Sequence, residues 1–110
     1  FIAQAIEELC FLDTFHLTWD VGHDARSGFR EREVMLRHED RVRHMHLHDA
    51  GPGGNHLALG DGVLDAGSML AFAREHGCRV VLEIKTADAL SRSVSWIRAW
   101  AERDGNTGLC

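Results

Sequence analysis

The chain has 110 residues, 12 of them basic and 17 acidic, for a formal net charge of −5. That acidic balance, with no basic run, leaves no electrostatic footprint for gripping extended nucleic acid, and no apolar run approaches the roughly 20 residues that span a bilayer. Cys10, Cys78 and Cys110 are too widely spaced for a disulfide framework or a paired-cysteine zinc site, so a reducing, cytoplasmic setting is expected.

Phe1 to Leu12 carries Ile2, Ile6 and Leu9 at helical spacing with Glu7 and Glu8 facing outward, and Asp13-Thr14 breaks the pattern. This reads as the end of a helix feeding a strand. A start at Phe1 instead of Met makes residues 1–110 read as a single partial domain, the C-terminal fragment of something larger. Phe15 to Val21 alternates as a strand, with Phe15, Leu17, Trp19 and Val21 on one face and His16, Thr18 and Asp20 on the other. After Gly22-His23 an irregular polar stretch leads to a helix near Arg30 to His38, whose Val34 and Leu36 give it a thin apolar face. Arg26 and Arg30 are open to a phosphate contact, with a solvated surface the preferred reading.

Arg41 to His48 is the second strand, with Val42, His44, His46 and His48 on one side and Met45 and Leu47 on the other. Asp49 to Gly62 holds five glycines and the only proline, a loop long enough to be a working part. Asp65 or Ser68 caps a helix running to His76, with Gly77 at the usual left-handed C-terminal position and Leu70 and Phe72 or Ala73 packing inward. Val80 to Ile84 is the third strand, Val80, Leu82 and Ile84 on one face, Val81, Glu83 and Lys85 on the other. A helix from Ala87 to Arg103 closes the chain, with Leu90, Val94, Ile97 and Ala101 in register, ending at Gly105. Trp19, Trp96 and Trp100 match apolar faces and are read as packing residues. A helix followed by three β/α units places the chain in the α/β class, with a parallel sheet that has two open edges.

In consecutive β/α units the C-terminal strand ends carry the chemistry. Asp20, His46 and Glu83 sit there on three neighbouring strands, a carboxylate, an imidazole and a carboxylate suited to Mn²⁺, Mg²⁺, Co²⁺ or Zn²⁺. A carboxylate in a β/α interior needs a compensating partner. A shared cation is one reading; Glu83 paired with Lys85 or an arginine, and Asp20 with a neighbouring amide, is the other. Of the three stacked histidines His44, His46 and His48, one ligand is expected, and His46 is preferred as the middle one, level with the loop that begins at Asp49. His48 is left beside the site or at its mouth. His23 and His56 are each open to a ligand, substrate or solvent role.

The segments Leu17-Thr18-Trp19-Asp20-Val21-Gly22-His23, His44-Met45-His46-Leu47-His48-Asp49, His56 to Asp65 and Leu82-Glu83-Ile84 resemble the xylose isomerase-like TIM barrel superfamily. This superfamily holds sugar phosphate isomerases and epimerases and the type IV apurinic endonucleases. The resemblance implies a (β/α)8 TIM barrel of which this chain carries the last three strands. It also implies a metal held by a Glu, an Asp, a His and a second Glu; Asp20, His46 and Glu83 match the last three, and the first would lie upstream. In the multi-metal endonucleases further ligands come from a His after the Asp, matched by His23, and from an Asp-x-His pair in the loop. This chain has Gly54-Asn55-His56 there, keeping the His and lacking the Asp. The missing carboxylate and the negative charge balance favour a single-metal sugar or sugar-phosphate isomerase or epimerase. Proton transfer would then pass through an enediolate, with Glu83 as ligand and acid/base and His23 and His56 near the substrate. A small-molecule sugar partner and one divalent ion follow, and a homo-oligomer is compatible. An apurinic endonuclease-like phosphodiesterase and a non-catalytic degenerate barrel are the alternatives, and the fragment alone is expected to be inactive.

Overall fold

In the computed structural model, whose described residues run from 2 to 103, the chain alternates helix and strand. Helix α1 (Ile2–Leu9) precedes strand β1 (Leu17–Asp20), helices α2 (Val21–Arg26) and α3 (Arg32–Arg37), and a 3₁₀ turn over Glu39–Arg41. Strand β2 (Val42–Leu47) leads into a hairpin of β3 (Asp49–Gly51) and β4 (Gly54–Leu57), then helix α4 (Ala66–His76), strand β5 (Arg79–Leu82) and helix α5 (Ala87–Arg103). Strands β1, β2 and β5 pair in that order and all in parallel, while β3 and β4 form a separate antiparallel pair. Parallel pairing of consecutive strands requires a crossover, and each of these strands is followed by at least one helix, as the α/β expectation demands.

Register brings the strand ends level. Asp20 pairs with His46 across β1 and β2, and His46 with Val81 across β2 and β5. The ladder runs one step past β5, where the Glu83 amide donates to the Leu47 carbonyl at 3.0 Å. With side chains alternating along each strand, Glu83 shares the His46 side of the sheet.

The opposite face makes the core. Leu17, Trp19, Val21, Met45 and Leu47 are buried there with Met69, Leu70, Phe72 and Ala73 of α4. The Trp19 and Phe72 rings meet edge to face at 5.6 Å. Arg41 ties the region after α1 to the sheet, donating to the carbonyls of Leu12 at 2.7 Å, Phe15 at 3.1 Å and Cys10. Asp65 caps α4 by accepting from the Ser68 amide, and Gly77 ends it with φ at 65°, both as read from the sequence. Ala87 and Arg103 bound α5 as expected, while its expected end at Gly105 lies outside the described residues.

Several local expectations need correction. Val21 begins a helix instead of ending a strand, because the Asp20 carboxylate accepts from the His23 amide and so caps α2. Val42 does not share the face of His44 and His46. It is fully buried in the core, because the pairing slips between Leu17 and Thr18, where β2 spends an extra residue, Arg43, and alternation restarts. The Asp49–Gly62 loop contains the β3–β4 hairpin, which strict alternation does not announce. In α3 the buried residue is Met35, and Leu36 is exposed. On α5 Ile97 and Ala101 pack against the core as expected, but Leu90 is exposed and the fully inward positions are Ser93 and Trp100. The Ser93 hydroxyl accepts from the Leu59 amide at 3.1 Å and donates to the Ala89 carbonyl at 2.8 Å, so a polar residue holds the buried position. Val80 and Val81 are both exposed, since β5 is an edge strand among the described residues. Among those residues no helix is long and apolar enough to cross a membrane.

Candidate metal centre

Asp20, His46 and Glu83 close on one point, each offering a ligand atom within 4.8 Å of the other two. Asp20 is delivered by the end of β1, His46 by β2 and Glu83 by the residue after β5. His46 Nδ1 lies 2.9 Å from Glu83 Oε1 and 3.8 Å from Asp20 Oδ2, and the three side chains are 33%, 33% and 23% exposed, accessible to a small solute but not freely solvated.

The contact between His46 and Glu83 is the informative one. Although Nδ1 and Oε1 stand 2.9 Å apart, Oε1 is a buried atom without a hydrogen-bond partner, so the imidazole does not direct an N–H at it. An imidazole nitrogen and a carboxylate oxygen this close without a hydrogen bond between them, with a second carboxylate beside them, form a donor set that a divalent cation fits.

Asp20 is heavily engaged. Oδ1 accepts from the His23 amide and from His48 Nε2, both at 2.9 Å, and Oδ2 lies 2.7 Å from His23 Nδ1. Burial works against its ionised form, but the His23 amide and the His48 and His23 imidazoles outweigh it, so the carboxyl stays below its ordinary range. In His48 the balance falls the other way: burial lowers its pKa against the pull of Asp20.

His23, His48 and His56 form a second group whose ring nitrogens lie within 4.8 Å of one another. His56 sits on β4 with φ at 55°, a left-handed conformation uncommon for a residue with a side chain, and its Nδ1 donates to the Glu83 carbonyl at 2.8 Å. A carbonyl only accepts, so Nε2 is the lone-pair nitrogen of His56. His23 Nδ1 approaches Asp20 Oδ2 at 2.7 Å from the other side of the site. Both residues expected near a substrate thus stand beside the Asp20, His46 and Glu83 set, with His56 presenting an acceptor nitrogen.

Two contributors escaped the sequence reading. Asp49 is fully buried and accepts from the amides of Ala50 at 2.8 Å, Gly60 at 2.9 Å and Leu64 at 3.0 Å, organising the loop that carries His56. An acidic residue at a strand end before five glycines was the available signal, since exposed amides in a glycine-rich loop need an acceptor. Gly22 is the other: its missing Cβ makes room for the His48 ring. Arg26 and Arg30 are exposed, as expected for a solvated surface.

Neither the curated proteins nor the solved structures match the chain. A family model does match, described as xylose isomerase-like TIM barrel, over residues 7–100. With parallel strands in consecutive order, a helix after each, and a match that covers most of its length, the chain belongs to the xylose isomerase-like TIM barrel family.

Proposed function

We propose that this chain is the C-terminal portion of a (β/α)8 barrel that isomerises or epimerises a sugar or sugar phosphate with one divalent cation. The family includes sugar isomerase and epimerase enzymes as well as endonuclease-like ones. The observation that carries the reading is the convergence of Asp20, His46 and Glu83 at the ends of three adjacent parallel strands.

In this reading Asp20, His46 and Glu83 hold the cation. When bound, it supplies Lewis acidity at a substrate carbonyl and its neighbouring hydroxyl, which stabilises an enediolate. In an isomerisation Glu83 accepts, on a carboxylate oxygen, the proton of the carbon beside the carbonyl and returns it to the neighbouring carbon on the same face. In an epimerisation Glu83 keeps that proton and the upstream carboxylate delivers its own to the opposite face. His23 and His56 orient the substrate, His56 by accepting a hydroxyl hydrogen at Nε2. A further carboxylate from an upstream strand completes the ligand set.

A metal-dependent phosphodiesterase is the second reading, favoured by the His23, His48 and His56 group lying next to the first. That group contains no carboxylate to balance further cations, which ranks it lower. The test incubates the complete protein with Mn²⁺ in deuterated water and a panel of ketoses and their phosphates. Deuterium at the carbon beside the carbonyl, reduced roughly 10²-fold or more by Glu83→Gln, is the expected result. No exchange with any sugar, together with cleavage of an abasic-site duplex, overturns it.

A further inference from the structure

His48 is fully buried, and both of its ring nitrogens are engaged. The backbone amide of His56 donates to Nδ1 at 2.9 Å. An amide nitrogen has no lone pair to offer, so Nδ1 is the acceptor and carries no proton. In the neutral imidazole the proton then sits on Nε2, 2.9 Å from Asp20 Oδ1, and donates to that carboxylate. The Asp49 carbonyl also lies 3.3 Å from Nδ1, but it competes poorly with the shorter and directional amide bond.

The ring is also confined. A Cβ added at Gly22 would stand 2.2 Å from its Cε1 and Nδ1 and 2.4 Å from its Nε2, so only glycine allows it this place. The His56 ring stacks on it at 4.2 Å with 16° between the planes.

We propose that His48 is a positioning residue: in its Nε2–H form it fixes Asp20 through Oδ1, and the β3–β4 hairpin enforces that form through the His56 amide. Asp20 Oδ2 is thereby left toward His23 and His46. The proposal rests on Asp20 being a cation ligand, as in the function proposed above. It removes His48 as a ligand in its own right, since one nitrogen carries a proton and the lone pair of the other is taken, despite its place in the three-histidine group. It also couples the hairpin to the metal site, so that ordering Gly54–Leu57 and holding the cation become one event.

Long-range proton–nitrogen correlation spectra of the complete protein, labelled with ¹⁵N-histidine and free of metal, test the tautomer. A pyrrole-type Nε2 and a pyridine-type Nδ1 for His48 are expected; the reverse pair, or two averaged nitrogens, overturns the proposal. Co²⁺ titration then tests positioning with two substitutions. His48→Gln keeps an N–H donor at the reach of Nε2, whereas His48→Asn reaches only as far as Nδ1. Co²⁺ affinity within about threefold of wild type for His48→Gln, and roughly 10- to 100-fold weaker for His48→Asn, is expected; equal affinities overturn it. A wild type that binds no Co²⁺ defeats the ligand reading of Asp20, while the spectrum still decides the tautomer. Should His48→Asn fail to fold, the wild-type spectrum and the Co²⁺ affinity of His48→Gln decide, an affinity more than about tenfold below wild type overturning the proposal.

Discussion

Gly22→Ala adds one methyl group and removes nothing, yet it should disturb both stability and metal binding. The new Cβ would stand 2.2 Å from the His48 ring, against the 3.4 Å at which contact becomes ordinary, so the ring must retreat by more than about 1 Å. Adding that displacement to the 2.9 Å bond between Nε2 and Asp20 Oδ1 takes it beyond hydrogen-bond range. Overpacking of this kind costs about 1–3 kcal/mol, partly offset by up to about 1 kcal/mol from the better helix propensity of alanine in α2. A net loss of about 1–2 kcal/mol should lower Tm by roughly 4–16 °C for a domain of this size. The control is Gly53→Ala, where a Cβ meets nothing within 4 Å and φ is not positive, so stability should stay within about 0.5 kcal/mol or rise slightly. Thermal unfolding and Co²⁺ titration of the two variants side by side are the assay. Equal Tm and equal affinity in both would refute the reasoning that the His48 ring is clamped against Gly22.

Asp49→Ala strips the acceptor from three amides, those of Ala50, Gly60 and Leu64, and should lower stability by about 2–4 kcal/mol after partial relief from burying a charge. Urea unfolding with hydrogen exchange at Gly60 and Leu64 checks it; exchange unchanged at both amides contradicts the assigned role. Asp65→Ala should cost about 1 kcal/mol at neutral pH through loss of the α4 cap. The Ser68 hydroxyl and amide hold the Asp65 carboxyl below its ordinary 3.8, so its contribution is present above that value and lost as pH falls through the lower folded-state value. The Tm gap between wild type and Asp65→Ala should therefore close on acidification below pH 3.8 and stay constant above neutrality; a gap that widens in acid contradicts the sign.

What was legible in the sequence and what was not divides along physical lines. Strand parity at Trp19 and Asp20 reads directly, because a face buried under helices must be apolar and the other need not be. The α4 boundaries at Asp65 and Gly77 read equally well, being set by local capping chemistry. Val42 was misplaced because a bulge alters alternation without any residue that marks it. The hairpin was missed because Gly54, Asn55 and His56 are held by long-range bonds, from the His56 amide to His48 and from its ring to Glu83, and not by strand propensity. On α5 Ile97 and Ala101 read correctly from helical spacing, but Ser93 does not, because it is buried by hydrogen bonds that hydropathy cannot register. At the site, residue types and spacing identified Asp20, His46 and Glu83 as neighbours, but the engagement of both His48 nitrogens depends on distances that spacing does not encode.

The most direct measurement is the divalent-metal content of the complete protein after equilibration with Mn²⁺, Co²⁺ or Zn²⁺, compared among wild type, His46→Ala and Glu83→Gln. One tightly held ion per chain in the wild type, lost or weakened at least about tenfold in both variants, is the predicted result. Metal content unchanged by either substitution would contradict a cation shared by Asp20, His46 and Glu83.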